Sequence, residues 1–462
     1  MSANKQLLLY PYTQAPFTFG RHPAFKRSFR EHRKLVRRCV KEGRFDISLA
    51  GFKIPLSSLA DPRHPDVFII PRNGYFCAID EWNDEIGFEK TDLPFSSTDF
   101  YIDLDEPGLF YDLSHTAAFS RLLGINQLGF LVPPRPEEWG EKAEIAYLIP
   151  QFHHNRLMHS LLAALLMEVV LARNGFSQAR RIPPVLTAAY HDIAIPAGGD
   201  SIKRVDPKRL DEEENFSWLL EYHGLAALWT EQFGFDLALA QEWVKGQGTF
   251  GHLLDVIDKI CYTALDCYWI GLIRSGRIRT LCLEHPLIID VWQDIQLAPD
   301  QITFAFSDPE RLFLFLLLRA YEHQEFLLNP YSRTLDLFLK QLVKPLYKQE
   351  FITREQLLIW DDELLYNVLR RYYPRIMKGY IEPEELSWKR FQIAEERKSF
   401  QAQLGHRIDH TDYTAEFLTG LEWPVFYGGE IVPLRRALSQ EKVGLLEGIA
   451  RSTRGYYVYY RT

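Results

Sequence analysis

Cysteine is scarce and unpatterned in this chain: five residues in 462, at positions 39, 77, 261, 267 and 282, with no CxxC pair. That spacing excludes a disulfide-stapled secreted scaffold and a cysteine-rich zinc module, and the cytoplasm is the expected compartment. Long hydrophobic runs are also missing. The stretch Leu312–Leu318 is seven residues long and closed by Arg311 and Arg319, which reads as a buried helix, far short of a membrane span. Met1–Tyr10 lacks the apolar core and small-residue cleavage site of a signal peptide, so neither export nor a membrane partner is expected. There is no basic excess: 53 Lys and Arg against 61 Asp and Glu leave a formal charge of -8, which argues against a general nucleic-acid coat protein. No internal repeat or low-complexity tract is visible.

What is present can build a sizeable core, since 47% of the residues are hydrophobic and 25% charged. The length suits about three domains. Residues 1–105 read as an α+β region, 106–349 as a helical core and 350–462 as a second α+β region. The first region carries a basic amphipathic helix over 25–44. Lys26, Arg27, Arg30, Arg33, Lys34, Arg37, Arg38, Lys41 and Arg44 are opposed there only by Glu31 and Glu42. Such a face is either solvated and packed on the body or a surface for nucleic acid or acidic partners.

The chemistry concentrates at His191–Asp192, which ends an apolar stretch beginning at Pro183. An imidazole beside a carboxylate offers one nitrogen and one oxygen ligand, and further ligands must come from elsewhere in the chain. His159 opens the apolar run Ser160–Leu166, and Asp258 lies in another apolar helix, Leu253–Tyr262. Charged groups on such backgrounds are costly unless paired, so the order H…HD…D reads as one divalent metal site. Two imidazoles and two carboxylates favour Mn, Fe, Zn or Ni, with Mg possible. Asp258, Tyr262 and Asp266 share a helix face at spacings of four, and Arg156 shares a face with His159.

These segments resemble the HD-domain metal-dependent phosphohydrolases, and more narrowly the deoxynucleoside triphosphate triphosphohydrolases that include bacterial dGTPases and the SAM-and-HD-domain enzyme. The resemblance rests on Phe119–Gly129, His154–Leu161, Ile257–Tyr262 with Asp266, and Arg319–His323. It weakens towards Gly429–Leu434 and the closing tyrosines. It implies a mainly α fold, an all-α HD-domain core with N- and C-terminal α+β appendages, in a homo-oligomer. It also implies His159, His191, Asp192 and Asp258 as metal ligands. Gln127, Tyr262 and Asp266 would hold a deoxyribose, Arg156 and Lys259 a triphosphate, and Tyr321 would pack near sugar and base.

One departure concerns the reaction itself. The family follows its HD pair with a glycine and two further histidines, whereas Ile195 and Asp200 stand at the histidine positions here. His223 is then the expected acid/base group and Asp200 an orienter or water-holder. A metal-dependent nucleotide phosphohydrolase is the first expectation. A nucleotide-binding sensor or pseudoenzyme with little turnover is the second. Two-iron oxygenase chemistry is a third, and would need His223 and His252 as extra ligands.

Overall fold

The computed structural model describes residues 116–127, 155–273, 276–285, 288–300, 302–374, 386–405, 408–415, 417 and 419–461, preceded by five short strands. Those strands are Leu7–Tyr10 (β1), Asp46–Leu49 (β2), Phe52–Pro55 (β3), Val67–Pro71 (β4) and Thr98–Asp103 (β5). β5 pairs antiparallel with β1 on one side and β4 on the other, while β2 and β3 pair with each other. The basic segment 25–44 lies outside the described residues.

After a short helix, Ala117–Leu122 (α1), the core is laid down by Arg156–Arg173 (α2) and Gln178–Tyr190 (α3). Every residue of α2 from His159 to Leu171 is buried. A helix apolar round its whole circumference belongs in the middle of a fold rather than on its surface. Its one acidic residue, Glu168, accepts from Arg181 Nε of α3 at 3.0 Å, and the same guanidinium gives Nη1 to the Phe176 carbonyl at 2.6 Å. The buried charges are thus met on both sides. Pro183 and Pro184 lie inside α3, where each removes an amide donor from the helical ladder. Thr187 Oγ1 donates to the Pro183 carbonyl at 2.9 Å, and the helix runs on to Tyr190.

The chain then turns through 191–199 into Asp200–Lys203 (α4) and Glu212–Tyr222 (α5), the latter capped by Asp211 accepting from Glu214 N at 3.1 Å. Two helices over 225–233 and 237–244 lead to the long Gly248–Ile273 (α6). Later helices used below are Pro309–Glu322 (α7), Pro330–Lys348 (α8), Asp362–Tyr372 (α9) and Gln440–Thr453 (α10). Asp308 caps α7, accepting from the amides of Glu310 and Arg311 at 3.0 Å each, with Pro309 at the first helical position. That is where a missing amide costs nothing.

Two small sheets complete the described structure. Ile295–Leu297 (β6), Phe304–Phe306 (β7), Pro424–Tyr427 (β10) and Glu430–Pro433 (β11) form one, in the order β11-β10-β7-β6. Leu386–Phe391 (β8), Ile408–Thr414 (β9) and the terminal Gly455–Arg461 (β12) form the other, with β12 between its neighbours. The parallel pairing of β10 with β7 at Val425 and Phe306 draws the C-terminal segment onto the helical core. Leu421, Val425, Leu434, Leu446 and Ile449 join the same apolar cluster as α2 and α3. The fold is mainly α with small β appendages, as the sequence predicts. No helix among the described residues is long and apolar enough to cross a membrane.

Candidate metal centre and its cavity

The turn that carries the His-Asp pair is held from behind. Arg121 of α1 donates Nη1 to the Ile193 carbonyl at 3.0 Å, Nη2 to Ile195 at 2.6 Å and Nε to Trp360 at 2.9 Å. Ile193 and Ile195 are fully buried, so without this guanidinium their carbonyls would lose these partners in a dry interior. One residue group further, Asp362 at the start of α9 accepts from Gly198 N at 2.7 Å and Asn126 N at 2.9 Å. Gly198 has φ +82° and Ile202 packed where a side chain would start, so the turn needs glycine there.

On this frame His159, His191, Asp192 and Asp258 converge. His159 Nε2 is 3.1 Å from His191 Nε2, 2.9 Å from Asp258 Oδ1 and 3.5 Å from Asp192 Oδ2. His191 Nε2 is 3.4 Å from Asp258 Oδ1 and 3.7 Å from Asp192 Oδ2. His191 Nδ1 donates to the Ala188 carbonyl at 2.7 Å. That bond fixes the tautomer of the neutral ring, so Nε2 is the nitrogen that faces the cluster and would bind a metal once its proton is given up, the usual arrangement for a ligating histidine. His159, His191 and Asp192 are buried and offer donor atoms within 4.8 Å of one another, close enough to share one metal ion. Two imidazole nitrogens and carboxylate oxygens facing a common point fit a divalent transition metal.

The electrostatics agree with a cation-demanding site. Burial disfavours charge on Asp192, yet Arg156 and the two histidines hold its carboxyl well below the usual range. Burial also disfavours a proton on His191, but Asp192 and Asp258 outweigh it and raise that imidazole to about 9. Arg156 bridges the cluster outward, giving Nη1 to Asp192 Oδ2 at 2.6 Å and Nη2 to Asp200 Oδ2 at 2.9 Å.

Beside the cluster opens a cavity of about 560 Å³. Gln127, Arg156, Asp192, Asp200, Asp258, Tyr262 and Asp266, all expected at the site, line it. Tyr262 accepts from Arg319 Nε at 2.6 Å. Asp266 is hydrogen-bonded to Glu322 of α7. Burial raises Asp266 to about 7 and Glu322 well above its ordinary value, so this buried pair holds a proton between them.

Three expected residues stand elsewhere. Lys259 is ion-paired to Asp255 one turn earlier on α6. Tyr321 lies under the Arg277 guanidinium, 5.0 Å from the ring centre. His223 caps the end of α5, and burial together with Arg121 depresses its pKa. None of the three lines the cavity. His252 is exposed, so the extra histidines that a two-iron centre requires are not at the cluster among the described residues.

The structure also adds wall residues that the sequence pattern did not single out: Lys203, Arg204, Glu212, His323 and Asp336. Lys203 Nζ is 2.5 Å from Glu212 Oε1 and 3.3 Å from Asp200 Oδ1, and Arg204 is 3.4 Å from Asp336. For Lys203, Arg204 and Glu212 the only signal in the sequence is the dense charge of 203–214, which reads equally well as a solvated loop; His323 and Asp336 lie on later segments, outside that run.

No protein-family model matches the chain, and no curated protein does. Solved structures do match in fold. A hypothetical protein from Aquifex aeolicus aligns with a TM-score of 0.57 at 15% identity, over 76% of this chain and 91% of its own. A phosphohydrolase from Bacteroides thetaiotaomicron aligns with a TM-score of 0.56 at 15% identity, over 78% of this chain and 98% of its own. Likeness at that identity establishes a shared fold.

Proposed function

We propose that this protein is a metal-dependent phosphohydrolase acting on nucleoside triphosphates, deoxynucleotides foremost. The observation that carries the reading is the juxtaposition of the His159–His191–Asp192 cluster, with Asp258 against both histidines, and a cavity of nucleotide size whose wall bears Arg156, Lys203 and Arg204. The fold shared with a phosphohydrolase supports it. A bound divalent ion would supply charge neutralisation at phosphorus and a polarised water.

This chain's own groups would do the rest. Arg156, fixed by Asp192 and Asp200, presents a rigid fork to phosphate oxygens. Gln127, Tyr262 and Asp266, the last backed by Glu322, would face the remainder of the ligand with hydrogen-bonding groups suited to sugar hydroxyls. The charge balance supports a bound cation: seven carboxyls line the cavity against three cationic side chains. A polyanion enters such a wall only with its charge covered by a cation.

A second reading, a nucleotide sensor with little turnover, is favoured by one observation. Ile195 is fully buried with its carbonyl on Arg121, and Asp200 is tied to Arg156 and Lys203. Burial raises Asp200, but Lys203 and Arg156 more than offset it and keep the carboxylate ionised, so it is no proton donor near neutrality.

The test is incubation with a panel of nucleotides and Mn²⁺ or Mg²⁺, products separated by chromatography, with parallel calorimetry in chelator. Nucleoside plus inorganic triphosphate, and loss of binding in chelator, are expected. Metal-dependent binding without product supports the sensor. Binding that survives chelation overturns the metal-dependent site.

A further inference from the structure

Phosphoester hydrolysis needs a group that protonates the departing oxygen, and most titratable groups on the cavity wall are committed elsewhere. Asp192 and Asp258 face the donor cluster, and Asp200 is held ionised. Asp266 shares its proton with Glu322. Asp336 accepts from Ser201 Oγ at 2.6 Å and pairs with Arg204. Asp211 is the cap of α5. His323 is kept neutral, because burial holds its imidazole well below the ordinary range.

Glu212 differs from all of these. It opens α5 and lines the cavity, and one oxygen, Oε1, takes Lys203 Nζ at 2.5 Å. The other oxygen, Oε2, is buried with no hydrogen-bond partner. A buried carboxyl oxygen left bare in a polar wall is a costly arrangement unless a proton or a ligand occupies it. A continuous chain of contacts joins it to the donor cluster: Glu212 to Lys203, Lys203 to Asp200, Asp200 to Arg156, and Arg156 to Asp192.

Resting on the phosphohydrolase reading, we infer that Glu212 is the general acid of this site, giving its Oε2 proton to the leaving oxygen. In that step the water oxygen bonds to phosphorus and the bond from phosphorus to the leaving oxygen breaks, its electron pair staying on that oxygen. Glu212 supplies the proton that oxygen takes up. The attacking water releases one proton to solvent, and the Glu212 carboxylate regains one from solvent.

The groups facing Glu212 set its titration: Lys203 and Asp200 from α4, Arg156 from α2 and Asp192 after α3. Burial raises its carboxyl to about 7, Lys203 opposing and the two aspartates assisting. A carboxyl in that range is part protonated at neutral pH, as a general acid must be.

The experiment compares wild type, Glu212→Gln and Lys203→Met on a deoxynucleoside triphosphate and on a p-nitrophenyl phosphoester of a nucleotide, whose leaving group needs no proton. Metal content and nucleotide affinity are measured for each. Glu212→Gln should lose about 10²-fold in turnover on the natural ester and far less on the nitrophenyl ester. Lys203→Met should move the alkaline limb of the pH profile to higher pH, because the cation opposing protonation is gone. Equal loss on both esters, or full activity of Glu212→Gln on the natural one, overturns the assignment while leaving the phosphohydrolase reading standing. A wild type inactive on every ester overturns that reading and this assignment together. If Glu212→Gln does not fold, an unmoved pH profile in Lys203→Met overturns the assignment.

Discussion

His323 begins a single π-helical turn after α7, and such insertions mark places where the regular ladder gives way to a local demand. Its ring stacks on Phe417 at 4.8 Å and meets Tyr262 edge-on, while both ring nitrogens are buried without partners. Burial, reinforced by Arg319 and Lys259, keeps the imidazole neutral in the folded state. Between that depressed value and an unfolded value of about 6.5, the unfolded chain binds more protons than the native one. Stability from this residue is therefore present above that window and lost as pH falls through it. His323→Phe preserves the stacked shape and removes two unsatisfied polar atoms, so it should be neutral or stabilising at pH 8. Thermal melts of both proteins at pH 8 and pH 5.5 check this: wild type should lose more on acidification, and equal losses would refute the account. The sequence does show a histidine after Arg319-Ala-Tyr, but an unpartnered imidazole is a property of its packing. By contrast His159, His191, Asp192 and Asp258 were readable, because charged groups on apolar helices advertise themselves wherever they fold.

The turn between α3 and α4 decides where Asp192, Asp200 and Lys203 stand relative to one another. Its backbone runs through buried residues, and the carbonyls of Ile193 and Ile195 depend on Arg121 and the amide of Gly198 on Asp362, neither adjacent in sequence. Gly198 is the tight point. A methyl group there would lie 2.6 Å from Ile202 Cγ1 and 3.0 Å from Leu339 Cδ2, at a φ that costs other residues about 1–2 kcal/mol. Gly198→Ala should lower the melting temperature by several degrees and weaken nucleotide binding, since α4 must shift to relieve the clash. Calorimetry with scanning of the same protein tests both, and wild-type values for both would mean the turn tolerates a side chain. Spacing along one helix was legible from periodicity, as with Asp258, Tyr262 and Asp266. The Lys203–Glu212 pair was not, because eight residues separate its members and no period links them. Lys259 shows the same limit from the other side. Its helical position is right for reaching the cavity, but Asp255 lies one turn away and takes its ammonium group.

At the scale of the molecule, the helical core is finished by residues far along the chain. The apolar texture reads as helices up to about Lys348, and helices do run through that point, but Arg354–Ile359 and α9 carry them beyond it. What the sequence could not announce is the parallel β10–β7 pairing, since a strand of four residues carries no record of its partner. Trp423 stacks on Phe306 at 5.7 Å with an interplanar angle of 6°, and on Phe315 of α7 at 6.5 Å. Leu421, Val425, Leu434, Leu438, Val443, Leu446 and Ile449 are buried in the cluster that holds α2 and α3. Burying each such side chain is worth about 1.5–3 kcal/mol, and seven of them rival the whole stability of a typical domain, about 5–15 kcal/mol. Removing residues 419–462 should therefore abolish cooperative unfolding, not trim a dispensable tail. It would also expose the edge of β7 and the apolar face of α7, so the product should aggregate. Scanning calorimetry of the truncated chain beside the full one gives the answer. A sharp transition near the wild-type temperature would show that the helical core closes without its C-terminal strands, and the shared-core account would fail.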